Sequence, residues 1–144
     1  MKKIGLILVA AFALVFTACE KEEEFIYEDG TYYAEESEFS HGWKAYLEAE
    51  ISEDELVSVN FDYVDGEGNL KSETTVENYP MDPHPTAWIP EYEAMLLASD
   101  ITDYTEVDVV TGATGGWTSV NALMVAVISA ADDGDTSTQV VVME

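Results

Sequence analysis

The run Asp108-Val109-Val110-Thr111-Gly112-Ala113-Thr114, continued by Gly115, Gly116 and Trp117, holds the densest set of residues suited to chemistry in this chain. It reads as a glycine-rich passage from a strand into a helix. The start of a helix presents unpaired amides and the positive end of the helix dipole, so a phosphate is favoured there. Gly112, Gly115 and Gly116 would let the backbone approach such a group without side-chain clashes. Taken on the residues alone, two readings stand: a phosphate-bearing site, or a plain turn whose threonines cap and hydrogen-bond.

Other reactive side chains are few. Lys2 and Lys3 followed by the apolar stretch 4–16 have the layout of an export signal, too short for a comfortable membrane span. Phe16-Thr17-Ala18-Cys19 then resembles the lipobox of bacterial lipoproteins, in which the cysteine is diacylated. That makes Cys19 the lipidation site and the membrane, on the extracytoplasmic side, the expected location. Cys19 is the only cysteine, so no disulfide is expected. His41 and His84, far apart and without a second cysteine, do not make a metal site. Neither a general acid and base pair nor a Ser-His-Asp set is readable, so no catalytic residue is assigned.

The chain carries 30 acidic against 5 basic residues and a formal charge of −25, with no arginine. Nothing here could neutralise a phosphate backbone, which excludes nucleic acid as a partner. Strong acidity suits solubility outside a cell and repels anionic membrane surfaces, so the acyl chain must do the anchoring.

The elements that must position the Asp108–Thr114 run follow from periodicity. Residues 1–18 form the signal, 19–28 a flexible charged tether, 29–131 one domain, and 132–144 an acidic tail or edge strand. Trp43, Ala45, Leu47, Ala49 and Ile51 alternate with polar neighbours, as do Val57, Val59, Phe61 and Tyr63, predicting an antiparallel hairpin around the turn 52–55. Asp65-Gly66-Glu67-Gly68-Asn69 is a second turn, leading into a third strand over 71–76. As a calcium loop it fails, with Leu70 where glycine is required and Val76 in place of glutamate. Three prolines make 79–85 an irregular loop, and a helix is predicted after Pro90. Residues 105–110 have the composition of a short buried strand. A final helix over 118–131, capped by Thr118 or Ser119, carries the stripe Val120, Leu123, Met124, Val127, Ile128 and Ala131. The sum is an α+β domain: an antiparallel sheet with a C-terminal helix packed on it.

The pattern D-x-x-[ST]-G-A-[ST] over 108–114 resembles the flavin-attachment motif of the FMN-binding domain family of covalently flavinylated bacterial lipoproteins. Further stretches match in order: Asp29-Gly30-Thr31-Tyr32, Ser40-His41-Gly42-Trp43, Phe61-Asp62-Tyr63 through Gly68-Asn69-Leu70-Lys71, and Asn78-Tyr79-Pro80-Met81. The resemblance covers about residues 29–131. Gly115-Gly116-Trp117 departs from it, since related sequences often carry small hydroxyl residues after the modified threonine.

The resemblance implies a membrane-anchored electron carrier with FMN joined to Thr114 by a phosphodiester. Asp108, Thr111, Gly112, Ala113 and Gly115 would flank the cofactor, and Trp117 would either stack on the flavin ring or pack under the helix. It also implies a separate flavin transferase and a redox partner protein or membrane electron donor. Acidic surroundings would disfavour negative charge on the reduced ring and lower its potential. The alternatives are a non-redox surface lipoprotein, serving as a binding or antigenic module, and a flavin or ligand binder without the covalent bond.

Overall fold

The computed structural model describes residues 23–144; the expected signal segment, Cys19 and the start of the tether lie outside them. Four strands form one mixed sheet in the order β3-β2-β1-β4: β1 is Gly30–Glu36, β2 Trp43–Ser52, β3 Glu55–Asp65 and β4 Gln139–Val141. Two helices, α1 (Pro85–Leu97) and α2 (Thr114–Asp133), complete an α+β domain in which the C-terminal helix packs on β1 and β2 while α1 packs on β3.

The predicted hairpin is present, with β2 and β3 antiparallel from Trp43↔Asp65 to Ser52↔Glu55. Its alternation buries Ala45, Leu47, Ala49 and Ile51 on β2 and Phe61 and Tyr63 on β3. Val57 departs from the expected face. The register passes from Glu50↔Ser58 to Ile51↔Leu56, leaving Val57 without an opposite residue. Such a bulge reverses the facing of what lies beyond it. Leu56 therefore enters the core and Val57 is exposed. Each wholly buried Leu, Ile or Phe of this core contributes about 1.5–3 kcal/mol of transfer free energy.

Residues 71–76 do not form the expected strand. Lys71–Glu73 is a single 3-10 turn, joined to β3 by one bridge between Val64 and Leu70. Local polar bonds outcompete the ladder. The buried Asp62 carboxylate accepts from the Ser72 amide (3.1 Å) and the Ser72 hydroxyl, and Thr74 Oγ1 donates back to the Lys71 carbonyl (2.6 Å).

Helix α1 begins earlier than expected. Pro85 takes the first helical position behind the N-cap His84, and Pro90 sits inside the helix. The first-turn preference for proline is met by Pro85 rather than Pro90, because burial of Trp88, Ile89, Tyr92 and Leu96 favours helix through Pro90.

Residues 104–110 are extended but belong to no strand. Their buried amides are satisfied by side chains instead: Val107 donates to Asn121 Oδ1 (2.9 Å) and Val110 to the Tyr92 hydroxyl (3.0 Å).

Helix α2 starts at Thr114, four residues before the expected start, so Thr118 and Ser119 are interior rather than caps. Its stripe is buried at Val120, Leu123, Met124, Val127 and Ala131, and Ile128 is half-buried. Gly134, at φ +64°, ends the helix in the left-handed conformation. The tail then adds β4, parallel to β1 from Ala34↔Gln139 to Glu36↔Val141, which makes it an edge strand and the sheet mixed. Residues 26–28, assigned to the tether from composition, are tied down: the Ile26 and Tyr27 amides donate to Asp54 at 2.9 and 2.8 Å, and the Glu28 amide donates to the Ala131 carbonyl at 3.0 Å.

Candidate functional site

The turn before α2 is fixed by one phenol. The Ala113 amide donates to the Val110 carbonyl (2.9 Å), closing four residues in which Gly112 has φ +85°. A positive φ there suits glycine. The buried Tyr92 hydroxyl accepts from the Val110 amide at the turn's start and donates to the Ala113 carbonyl at its end (2.8 Å). Thr114 is thereby delivered as the first helical residue with its side chain exposed. No side chain caps the helix, and the amides of Thr114, Gly115 and Gly116 have no acceptor within it. An anion at this point meets free N–H donors and the positive helix end.

The three glycines serve different ends. A Cβ on Gly112 would stand 2.5 Å from Pro83 Cδ, and one on Gly116 would stand 2.7 Å from Trp88 Cζ3. Their missing side chains are used by packing inside the protein, not by approach to a ligand. Only Gly115 faces open space.

Two hollows flank the helix start. The smaller, about 400 Å³, is bordered by Asp108, Thr114 and Trp117 together with Glu106, Val107 and Val109. Trp117 packs against the core with its indole N–H donated to the Val107 carbonyl (2.6 Å). Asn121 holds the strap 104–110 from the same helix, accepting from the Tyr104 hydroxyl (2.7 Å) and the Val107 amide. Burial pushes the Tyr104 phenol up to about 12, so it remains a donor.

The larger hollow, about 950 Å³, is bordered by Gly112, Ala113, Gly115 and Gly116 on one side. Its other walls include the rings Trp43, Tyr63, Tyr79 and Trp88, with Lys71 among them, and the carboxylates Glu38 and Glu144. Glu36 closes the floor at 5% exposure, accepting from the Ala45 amide (3.0 Å) and the Ser119 hydroxyl (2.6 Å). Burial raises the Tyr63 phenol well above its ordinary value, with the hydrogen bond to Ser119 opposing in part. The indole nitrogen of Trp88 is buried without an acceptor. The hollow therefore joins aromatic walls to an almost equal share of polar lining.

Thus Asp108, Thr114 and Trp117 share one hollow, while Gly112, Ala113 and Gly115 border the other; Thr111 borders neither. His41, with φ +52°, stands at the rim of the larger hollow, and His84 caps α1. Among the described residues, no group of three His, Cys, Asp or Glu side chains is placed to hold a metal.

Glu36, Trp88 and Ser119 were not identified from sequence as site residues. A signal for Glu36 exists, since Tyr32, Ala34 and Glu36 alternate on β1 and put a carboxylate at the end of an apolar face.

No family model and no curated protein matches this chain. Among solved structures, the crystal structure of CPE2226 protein from Clostridium perfringens is similar, with 27% identity and a TM-score of 0.74 over 82% of this chain and 99% of that one. A solution structure from Clostridium thermocellum matches at 23% identity and a TM-score of 0.43, over 78% and 95% of the two chains.

Proposed function

We propose that this chain is a membrane-anchored electron carrier, held by lipid on Cys19 and bearing FMN on Thr114 through a phosphodiester. One observation carries the reading. Three stretches that resemble the flavin family, 40–43, 61–71 and 78–81, lie far apart in sequence, yet they supply Ser40, His41, Trp43, Tyr63, Lys71, Tyr79 and Met81 to the hollow beside Gly112 and Ala113. A plain capped turn has no need of that convergence.

The residues present fit such a group. Thr114 offers an exposed hydroxyl, the first-turn amides are free for phosphate oxygens, and the buried Trp88 N–H lacks an acceptor. FMN, when bound, supplies reversible electron uptake, chemistry that no side chain here provides. The protein's part is retention and orientation. Tyr92 holds both ends of the turn, and Asn121 fastens the strap. Attachment requires a transferase that presents the flavin as an activated phosphate. Thr114 would supply the oxygen for that transfer, with the activating group leaving as the Oγ–phosphorus bond forms and the hydroxyl proton passing to a base of the transferase.

The test is to express the full chain with a flavin transferase and separate it on a denaturing gel. In-gel fluorescence and an added mass of FMN less water are expected, and both should vanish in Thr114→Ala. Flavin that washes out in denaturant would indicate a non-covalent binder. No flavin at all would leave a non-redox surface lipoprotein.

A further inference from the structure

Among the described residues of this acidic chain, Lys71 is a cation that does not use a carboxylate. It is 9% exposed, and among the described residues its ammonium makes no ion pair and no hydrogen bond; Lys44, by contrast, pairs with Glu35 at 3.2 Å. Lys71 Nζ instead lies 4.3 Å from the ring centre of Tyr63, 5.1 Å from Tyr79, 5.5 Å from Trp43 and 5.8 Å from Trp88. Ring faces attract an ammonium without neutralising its charge.

The placement is built rather than incidental. The 3-10 turn that carries Lys71 is pinned by Asp62 through Ser72 and by Thr74 Oγ1 on the Lys71 carbonyl. The four rings are themselves walls of the larger hollow, which Lys71 borders together with the first turn of α2. A cation that faces the hollow from among these rings favours negative charge on whatever occupies it.

Resting on the flavin reading above, we propose that Lys71 is the counter-charge for the reduced flavin ring. The oxidised ring is neutral. On taking two electrons and one proton from a reductant it carries one negative charge, and only that state gains from the ammonium. Glu36, Glu38 and Glu144, on the same walls, act in the opposite sense. Lys71 therefore raises the potential that the acidic surroundings would otherwise lower.

The test uses the full chain, flavinylated by co-expression, with Lys71→Met, Lys71→Gln and Lys71→Arg. Attachment is read by fluorescence after denaturation, folding by circular dichroism, and midpoint potential by dithionite titration against a reference dye. Met and Gln should keep covalent flavin but make the ring at least about tenfold harder to reduce, about 30 mV for a two-electron couple. Arg should stay within a few-fold of the parent. Flavinylated Met and Gln variants that titrate like the parent would overturn the inference while leaving Thr114 as the attachment point. So would folded variants that lose flavin, which would make Lys71 an attachment residue, or unfolding of both neutral variants, which would assign it to the fold. A parent chain without covalent flavin would remove the Thr114 reading, and this inference with it.

Discussion

Gly115 and Gly116 are adjacent and identical in chemistry, yet their surroundings are opposite. An added methyl at Gly116 meets Trp88 Cζ3 at 2.7 Å and Tyr92 Cε2 at 3.1 Å, whereas at Gly115 it meets nothing within 4 Å. Gly116→Ala should lose about 1–3 kcal/mol by forcing the rings of α1 away. Gly115→Ala should be neutral or gain up to about 1 kcal/mol, because alanine restricts the unfolded chain more. Urea denaturation of the two variants decides this; equal stabilities would mean that the α1–α2 contact is looser than described. At this scale the sequence was half legible. It pointed to Thr114 and the glycines, but a string of residues does not say which glycine faces a ring and which faces open space. It also could not reveal that Val57 would yield its place to Leu56, since a bulge is a decision of pairing rather than of pattern.

The elements that hold the site are joined by side chains more than by backbone. Asn121 of α2 accepts from Tyr104 and Val107 and donates to the Trp117 carbonyl at 2.9 Å. Asn121→Ala strands a buried amide and should cost about 1–3 kcal/mol. Hydrogen exchange should accelerate at Val107 and its neighbours before it does in β2; uniform loss of protection would contradict this. On the other flank, the Glu93 carboxylate of α1 accepts from the Phe61 amide of β3 at 2.9 Å. Burial, aided by Asp62, raises its pKa above the ordinary 4.5, against the hydrogen bond from Phe61. Between 4.5 and the raised value the folded chain holds the proton that the unfolded chain has released, so stability falls as pH rises through that window. Glu93→Gln keeps an acceptor and cannot ionise. It should melt above the parent at neutral pH, with the gap closing as pH falls below 4.5; a gap unchanged with pH would refute the cause. The hairpin and α2 were readable because period two and period 3.6 survive in their apolar residues. The strap 104–110 and the turn at Lys71–Glu73 are not, because side-chain bonds fasten them, the strap through Asn121 and Tyr92 and the turn through Asp62, and such bonds leave no periodicity to read.

Over the whole molecule, charge of one sign dominates. A formal −25 repels itself in the compact state, and 0.15 M salt shortens the screening length to about 8 Å. Raising sodium chloride from low to physiological strength should therefore raise the melting temperature, by about 4 °C if about 1 kcal/mol of repulsion is removed. A falling value would mean that pairs such as Lys44–Glu35 outweigh the repulsion. The fold class is legible at this scale; besides the two expected strands that do not form, it departs in the parallel β4, from a tail too short to declare its partner. One arrangement has an optical side. The chain has three tryptophans, and all of them border the two hollows at the start of α2: Trp43 and Trp88 the larger, Trp117 the smaller. Indole emission from this protein thus arises wholly from rings that line these two hollows. An occupant that absorbs where indole emits would quench it, so the molecule carries its own unlabelled gauge of loading and release.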